Sequence, residues 1–226
     1  MATAEELIAE ALKGWSFLYK RGFIEGFGHL SVRMPEGNRF AVTRFALGVR
    51  AHPEDMLLMD LDGNQLDGAG KLPGEFPIHL EILRARPDVN CVVHYHGMHS
   101  TAFTTSEHKL QPIHLMGTLF HEGIPIYNDP RLVHDRVRGA ALAKALGKCR
   151  VALMKAHGVA MTGANVMEAV GGAFLFEENA HRAWIAAAMG KQIWLDPETI
   201  AACAAELYPY RRVWAMVEAD ADAESR

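Results

Sequence analysis

The sequence predicts an α/β layered protein built around a largely antiparallel sheet. Three observations carry this. An amphipathic helix opens the chain, short β-rich segments separated by turn residues follow, and the second half interleaves strands with long helices. These patterns do not set the strand order. No internal repeat, low-complexity tract or Pro/Ser-rich linker interrupts the 226 residues, which predicts one domain over 1–226.

Each element has its own local reason. In residues 3–21, Ala4, Leu7, Ile8, Ala11, Leu12, Trp15, Leu18 and Tyr19 recur at helical spacing, and Gly22 marks the stop. His29–Arg33, Arg39–Thr43 and Met56–Leu61 read as strands, divided by Pro35–Asn38 and by Asp60–Gly63. Asp62-Gly63 suits a tight turn, with Gln65–Asp67 returning as a hairpin partner. Phe76–Arg86 predicts a helix with Phe76, Leu80 and Leu83 on one face, ended by Pro87. Cys91–Tyr95 is a short buried strand, and His114–Thr118 and Pro125–Tyr127 also read as strands. Asp129–Leu146 predicts a helix with Asp129 as N-cap, Pro130 at its first position and Gly147 as its stop. Val151–Lys155 and Val159–Thr162 pair around His157-Gly158, Asn165–Met189 is a long helix ended by Gly190, and a last helix covers about 197–219.

Composition removes several function classes. Basic residues (23) do not exceed acidic ones (27), which argues against non-specific nucleic-acid binding. No apolar run reaches the roughly 18 residues of a membrane span, and the acidic start lacks the basic segment of a signal peptide. Cys91, Cys149 and Cys203 are too widely spaced for a metal knuckle or disulfide framework; Cys91 and Cys149 are expected in buried strands. Unpaired thiols make the cytoplasm the expected compartment. The outlier is histidine, with twelve residues.

Three of the twelve stand out. His94 and His96 lie in Val-Val-His-Tyr-His-Gly, and residues two apart on a strand share a face, so both imidazoles can reach one metal ion. His157 sits in Met-Lys-Ala-His-Gly-Val, where glycine lets the backbone bend. Three protein ligands with open positions are the catalytic arrangement. Spacing leaves a second reading open, in which the pair is simply two core-edge histidines. Glu75, in Lys-Leu-Pro-Gly-Glu-Phe-Pro at the start of the second helix, adds a carboxylate that the helix N–H groups can hold. It serves as a metal neighbour or acid/base, or merely as a helix-start glutamate.

Together, Gly28-His-Leu-Ser-Val-Arg33, Glu75, Pro87-Asp-Val-Asn-Cys-Val-Val-His-Tyr-His96 and His157-Gly158 resemble the class II aldolase/adducin family from about Glu5 to Met189. The resemblance implies a three-layer α/β/α fold and a divalent metal held by His94, His96 and His157. It also implies Glu75 as acid/base, and a homotetramer with its site at a subunit interface. The adducin branch lacks the metal ligands, so the intact trio points away from a non-catalytic interaction protein.

Where the family's sugar-phosphate enzymes carry a phosphate site, this chain departs. Gly28-His29-Leu30-Ser31 replaces Gly-Asn-x-Ser, Thr43-Arg44-Phe45-Ala46 replaces Thr-Pro-Ser-Gly, and Pro73-Gly74-Glu75 lacks both hydroxyls of Ser-Ser-Glu. Without those hydroxyls a small sugar phosphate is not the expected substrate. Arg44 offers a guanidinium fork to a carboxylate, and His29 is a second donor or a proton relay. Both are expected substrate contacts, although a solvated Arg44 and a bracing His29 also fit. The pattern is similar to the decarboxylase branch that acts on hydroxylated pyridine or benzene dicarboxylates.

The expected function is therefore a metal-dependent carbon–carbon lyase. It removes CO₂ from a hydroxylated aromatic or heteroaromatic acid, and Glu75 protonates the resulting enolate or dienolate. A non-phosphorylated-substrate aldolase or dehydratase is the alternative. Zinc, manganese, cobalt and iron all suit such ligands, with zinc or manganese expected first. An aromatic substrate predicts walls such as Phe27, Phe45 and Phe103. His99 is a further cleft candidate, and His79 lies four residues past Glu75, close enough to touch it. Tyr127, Tyr208 and Tyr210 are candidate acids from another subunit, and the helices with Trp184 and Trp214 are candidate oligomer surface or, equally, core packing.

Overall fold

The computed structural model of the protein describes residues 2–224. Its centre is an eight-stranded sheet. In chain order the strands are β1 (His29–Arg33), β2 (Arg39–Thr43), β3 (Met56–Asp60), β4 (Gln65–Asp67), β5 (Cys91–Tyr95), β6 (Ile126–Tyr127), β7 (Val151–Met154) and β8 (Gly158–Gly163). They lie in the order β4-β3-β2-β1-β5-β8-β7-β6, antiparallel everywhere except between β6 and β7.

Strand alternation divides the interior in two. Leu30 and Val32 of β1 and Val93 and Tyr95 of β5 pack under the helices α1 (Ala4–Lys20), α5 (Val166–Met189) and α7 (Tyr210–Glu224). On the other face, Phe40, Val42, Val92 and Ala160 pack under α2 (Pro77–Ala85) and α4 (Arg136–Leu146). Two shorter helices, α3 (Met98–Ala102) and α6 (Pro197–Glu206), complete the α-helices among the described residues. The expected layering, helices on both faces of a mainly antiparallel sheet, is what forms.

Local signals explain most boundaries. Thr3 and Glu6 form a reciprocal capping box ahead of α1, and Asn165 accepts from the Glu168 N–H ahead of α5. Four expectations fail. Asp129 does not cap a helix: its carboxylate grips the Arg131 guanidinium at 2.6 Å, and α4 starts only at Arg136, capped by Asp135. His114–Thr118 is no strand. Its backbone has no sheet neighbour, Ile113 N–H goes to Asn179 Oδ1, and Leu115–Phe120 winds into a 3₁₀ helix. The single last helix expected over about 197–219 is two helices, because Pro209 supplies no N–H and breaks the run between α6 and α7. Cys149 lies half-buried just ahead of β7 rather than inside a buried strand, whereas Cys91 is buried as expected.

Candidate metal centre

The sheet brings the candidate residues together on its α2/α4 face. β1 and β5 run antiparallel with His29 opposite His94, so these rings lie side by side with centroids 4.9 Å apart. His94 is fully buried, and its Nδ1 is 3.0 Å from the Val159 carbonyl of β8. A carbonyl only accepts, so Nδ1 carries the proton and Nε2 is left as a lone pair. His96, just past β5, brings its Nε2 to 3.2 Å from that of His94. His157 enters from the turn between β7 and β8. There Ala156 holds a left-handed φ of 51°, and its N–H is fixed by Thr104 Oγ1 at 2.8 Å. The three rings meet edge to face at 5.1–5.2 Å.

Glu75 closes the group. Its Oε2 is 3.3 Å from His157 Nε2 and 3.7 Å from His94 Nε2. The other oxygen accepts the Val133 N–H at 2.7 Å. The carboxylate is thus held by the loop before α4 and not by the N–H groups of its own helix. Four donor atoms, from Glu75, His94, His96 and His157, lie within 4.8 Å of one another. Both ring nitrogens of His157 are buried, and among the described residues neither makes a well-formed hydrogen bond, Nε2 having only the Glu75 carboxylate at 3.3 Å beside it. A protein does not leave such atoms unsatisfied without cause. Three imidazoles and a carboxylate converging on one point fit a divalent cation.

Electrostatics agree with that fit. Burial and the neighbouring His29 push the His94 imidazole well below its ordinary 6.5, so it is neutral and able to ligate. Burial raises the Glu75 carboxyl, but contacts with His157, His94 and the Val133 N–H outweigh it and bring it from 4.5 to about 2. The sign follows. Glu75 stabilises the fold fully above its unfolded value of 4.5, and this contribution is lost as pH falls through about 2. Glu75→Gln is expected to flatten the acid limb of stability. Urea unfolding of wild type and variant at about pH 6 and about pH 3 measures it.

Gly158 sets the spacing. A Cβ there would lie 2.6 Å from the Tyr95 carbonyl, 2.9 Å from His96 Cδ2 and 3.2 Å from His94 Cε1. Gly158→Ala is expected to displace both rings and weaken metal binding about 10–100-fold, as loss of ligand orientation does. Titration with a competing chelator measures it.

A cavity of about 200 Å³ opens beside Glu75, lined also by Phe27, His29, Arg44, Phe45, Leu132 and His134. Phe27 is 72% exposed and stacks on His96, with ring centroids at 6.0 Å; Phe45 is 51% exposed. Phe103, expected as a third wall, is buried in the α1/α5 core. Arg44 Nε is tied to Asp55 at 2.6 Å, and the side chain still lines the cavity. His29 lines it too, with Nδ1 2.7 Å from His79 Nε2. His79 is therefore bonded to His29 and not to Glu75. His99 stacks on His181 at 4.2 Å, away from the cavity lining, and Tyr208 and Tyr210 sit beside Glu168 and Arg150. Sequence reasoning missed Val133, whose role depends on a loop crossing the sheet face. It also missed Ser31, whose hydroxyl lies 2.7 Å from His79 Nδ1.

Residues 9–184 match the family profile of the Class II Aldolase and Adducin N-terminal domain, a span containing His29, Arg44, Glu75, His94, His96 and His157. The chain belongs to that family. It is a lyase of a divalent-metal-dependent class. A 3,4-dihydroxyphthalate decarboxylase of Arthrobacter keyseri is 34% identical over 183 residues, covering 75% of this chain and 73% of the relative. That of Terrabacter sp. (strain DBF63) is 34% identical over 224 residues, covering 89% of each. An aldolase II superfamily protein from Pseudomonas syringae shares the fold, with a TM-score of 0.86 at 20% identity over 99% of this chain and 95% of that one.

Proposed function

We propose that the protein is a metal-dependent decarboxylase of a hydroxylated aromatic or heteroaromatic carboxylic acid. The observation that carries this is the placement of Glu75. It belongs both to the three-histidine cluster and to a cavity that pairs the aromatic walls Phe27 and Phe45 with the cation Arg44. Relatives that are 3,4-dihydroxyphthalate decarboxylases support the substrate class.

In this reading His94, His96 and His157 hold the ion, zinc or manganese first among those the donor set accepts, with cobalt and iron also suited. When bound, the ion supplies Lewis acidity toward substrate oxygens. The chain's own residues do the rest. Arg44, braced by Asp55, binds a carboxylate, and His29 offers a second contact. Glu75 is ionised in the free site, so it first takes a proton from the substrate hydroxyl. The bond between ring and carboxyl carbon breaks, CO₂ leaves, and the electron pair stays with the ring. Glu75 then returns its proton to that carbon, and one solvent proton is taken up per CO₂. Phe27 and Phe45, which line the cavity, offer apolar faces on which the substrate ring can stack.

We also read the chain as one cytoplasmic domain that assembles as a homotetramer. Trp184, Met189 and Ile193, all exposed, support association. Among the described residues no helix is long and apolar enough to cross a membrane.

A panel of hydroxylated aromatic and heteroaromatic acids, run beside hydroxyketones and sugar phosphates, tests the function. CO₂ from an aromatic acid supports it. Aldehyde from a hydroxyketone, without CO₂ from any acid, replaces it with the aldolase reading.

A further inference from the structure

We propose that Ser31 and His79 are positioning residues that fix His29 as a hydrogen-bond donor into the cavity, making this corner of the site a seat for an anionic oxygen. The proposal rests on the functional reading above only in taking that oxygen to be the substrate's.

Three side chains form a line from the core to the cavity. Ser31 Oγ lies 2.7 Å from His79 Nδ1, and His79 Nε2 lies 2.7 Å from His29 Nδ1. Ser31 and His79 are fully buried, and His29 ends the line on the cavity wall with Glu75 and Arg44. A neutral imidazole has one N–H and one lone pair, so protons along such a line point one way or the other.

Ser31 decides the direction. Among the described residues its hydroxyl meets no acceptor except His79 Nδ1. If His79 donated to Ser31, the serine proton would be buried with nowhere to go, an arrangement that folded proteins avoid. The serine therefore donates to Nδ1, His79 Nε2–H donates to His29 Nδ1, and the His29 proton stays on Nε2. Burial keeps His79 neutral, pushing it down to about 3, which removes the doubly protonated alternative.

The consequence is chemical selectivity. A His29 held with its proton on Nε2 attracts carboxylate or phenolate oxygen and has no lone pair there for a donor group. Sheet register adds rigidity, because His29 is backbone-paired with His94.

The test is ¹⁵N NMR of protein labelled with ¹⁵N-histidine and loaded with zinc, which is diamagnetic. Spectra of His29→Asn and His79→Gln assign the signals. Both His29 and His79 are expected to be protonated at Nε2 and bare at Nδ1. A His29 protonated at Nδ1 overturns the proposal, and this readout needs no variant to be active. In kinetics, His79→Leu is expected to raise KM for the carboxylate substrate about tenfold, the loss of one hydrogen bond, with metal content unchanged. His79→Gln, whose amide can donate to His29 Nδ1, restores most of it. A wild-type KM in His79→Leu overturns the positioning role. The expected tautomers in a protein that releases no CO₂ uphold the assignment of His29 and sink the decarboxylase reading instead.

Discussion

Glu75→Gln is expected to lower turnover about 10²–10⁴-fold while the bound metal stays in place, the loss that removal of a positioned acid/base produces. The geometry makes this a clean experiment. Glutamine keeps an amide oxygen to accept the Val133 N–H, so the loop before α4 retains its anchor. The three imidazoles remain, and they, not the carboxylate, are the proposed ligand set. What disappears is the group that takes the substrate's proton and returns it to carbon, so kcat falls while KM changes little. CO₂ release measured beside elemental analysis of the same preparation checks both halves. Full turnover in the variant removes Glu75 from the mechanism. Loss of metal together with turnover makes it a ligand first.

His94→Ala is expected to remove metal and turnover together. The side chain is fully buried, its Nδ1–H is committed to the Val159 carbonyl, and its lone pair faces His96 and His157. Losing it deletes a ligand outright, so the fall in metal affinity should exceed the about 10–100-fold cost of losing a supporting partner. Alanine also leaves a gap beside three rings. His96→Ala, at a half-buried position, is therefore the companion variant, with the same loss of metal and a smaller effect on the fold. Stoichiometric metal and normal turnover in both variants would exclude this cluster as the metal site.

The site was legible in sequence where a motif is local and illegible where it is made by packing. His94 and His96 share a face because the strand period is two, and Glu75 stands out by its place just before α2. The pairing of His29 with His94 is a register across β1 and β5, which the sequence does not encode in either segment alone. His79 lies on the buried face of α2, and only the sheet beneath it shows that it meets Ser31 and His29 rather than Glu75. Asp129 and Asp135 carry the same capping chemistry; the nearby Arg131 claims the first and leaves the second to start α4. Pro209 lies inside the final helical pattern and divides it, because a proline lacks the N–H that a continuous helix needs. Phe103 is aromatic like Phe27 and Phe45, but residue type says nothing of direction, and its ring turns into the core.

Metal-dependent decarboxylation is tested by CO₂ release from hydroxylated aromatic carboxylates by the metal-loaded protein, repeated after chelation and again after a divalent ion is restored. Release should stop on chelation, return with the ion, and be absent from His94→Ala under all three conditions. Release that continues undiminished in the stripped protein, or in His94→Ala, would contradict it.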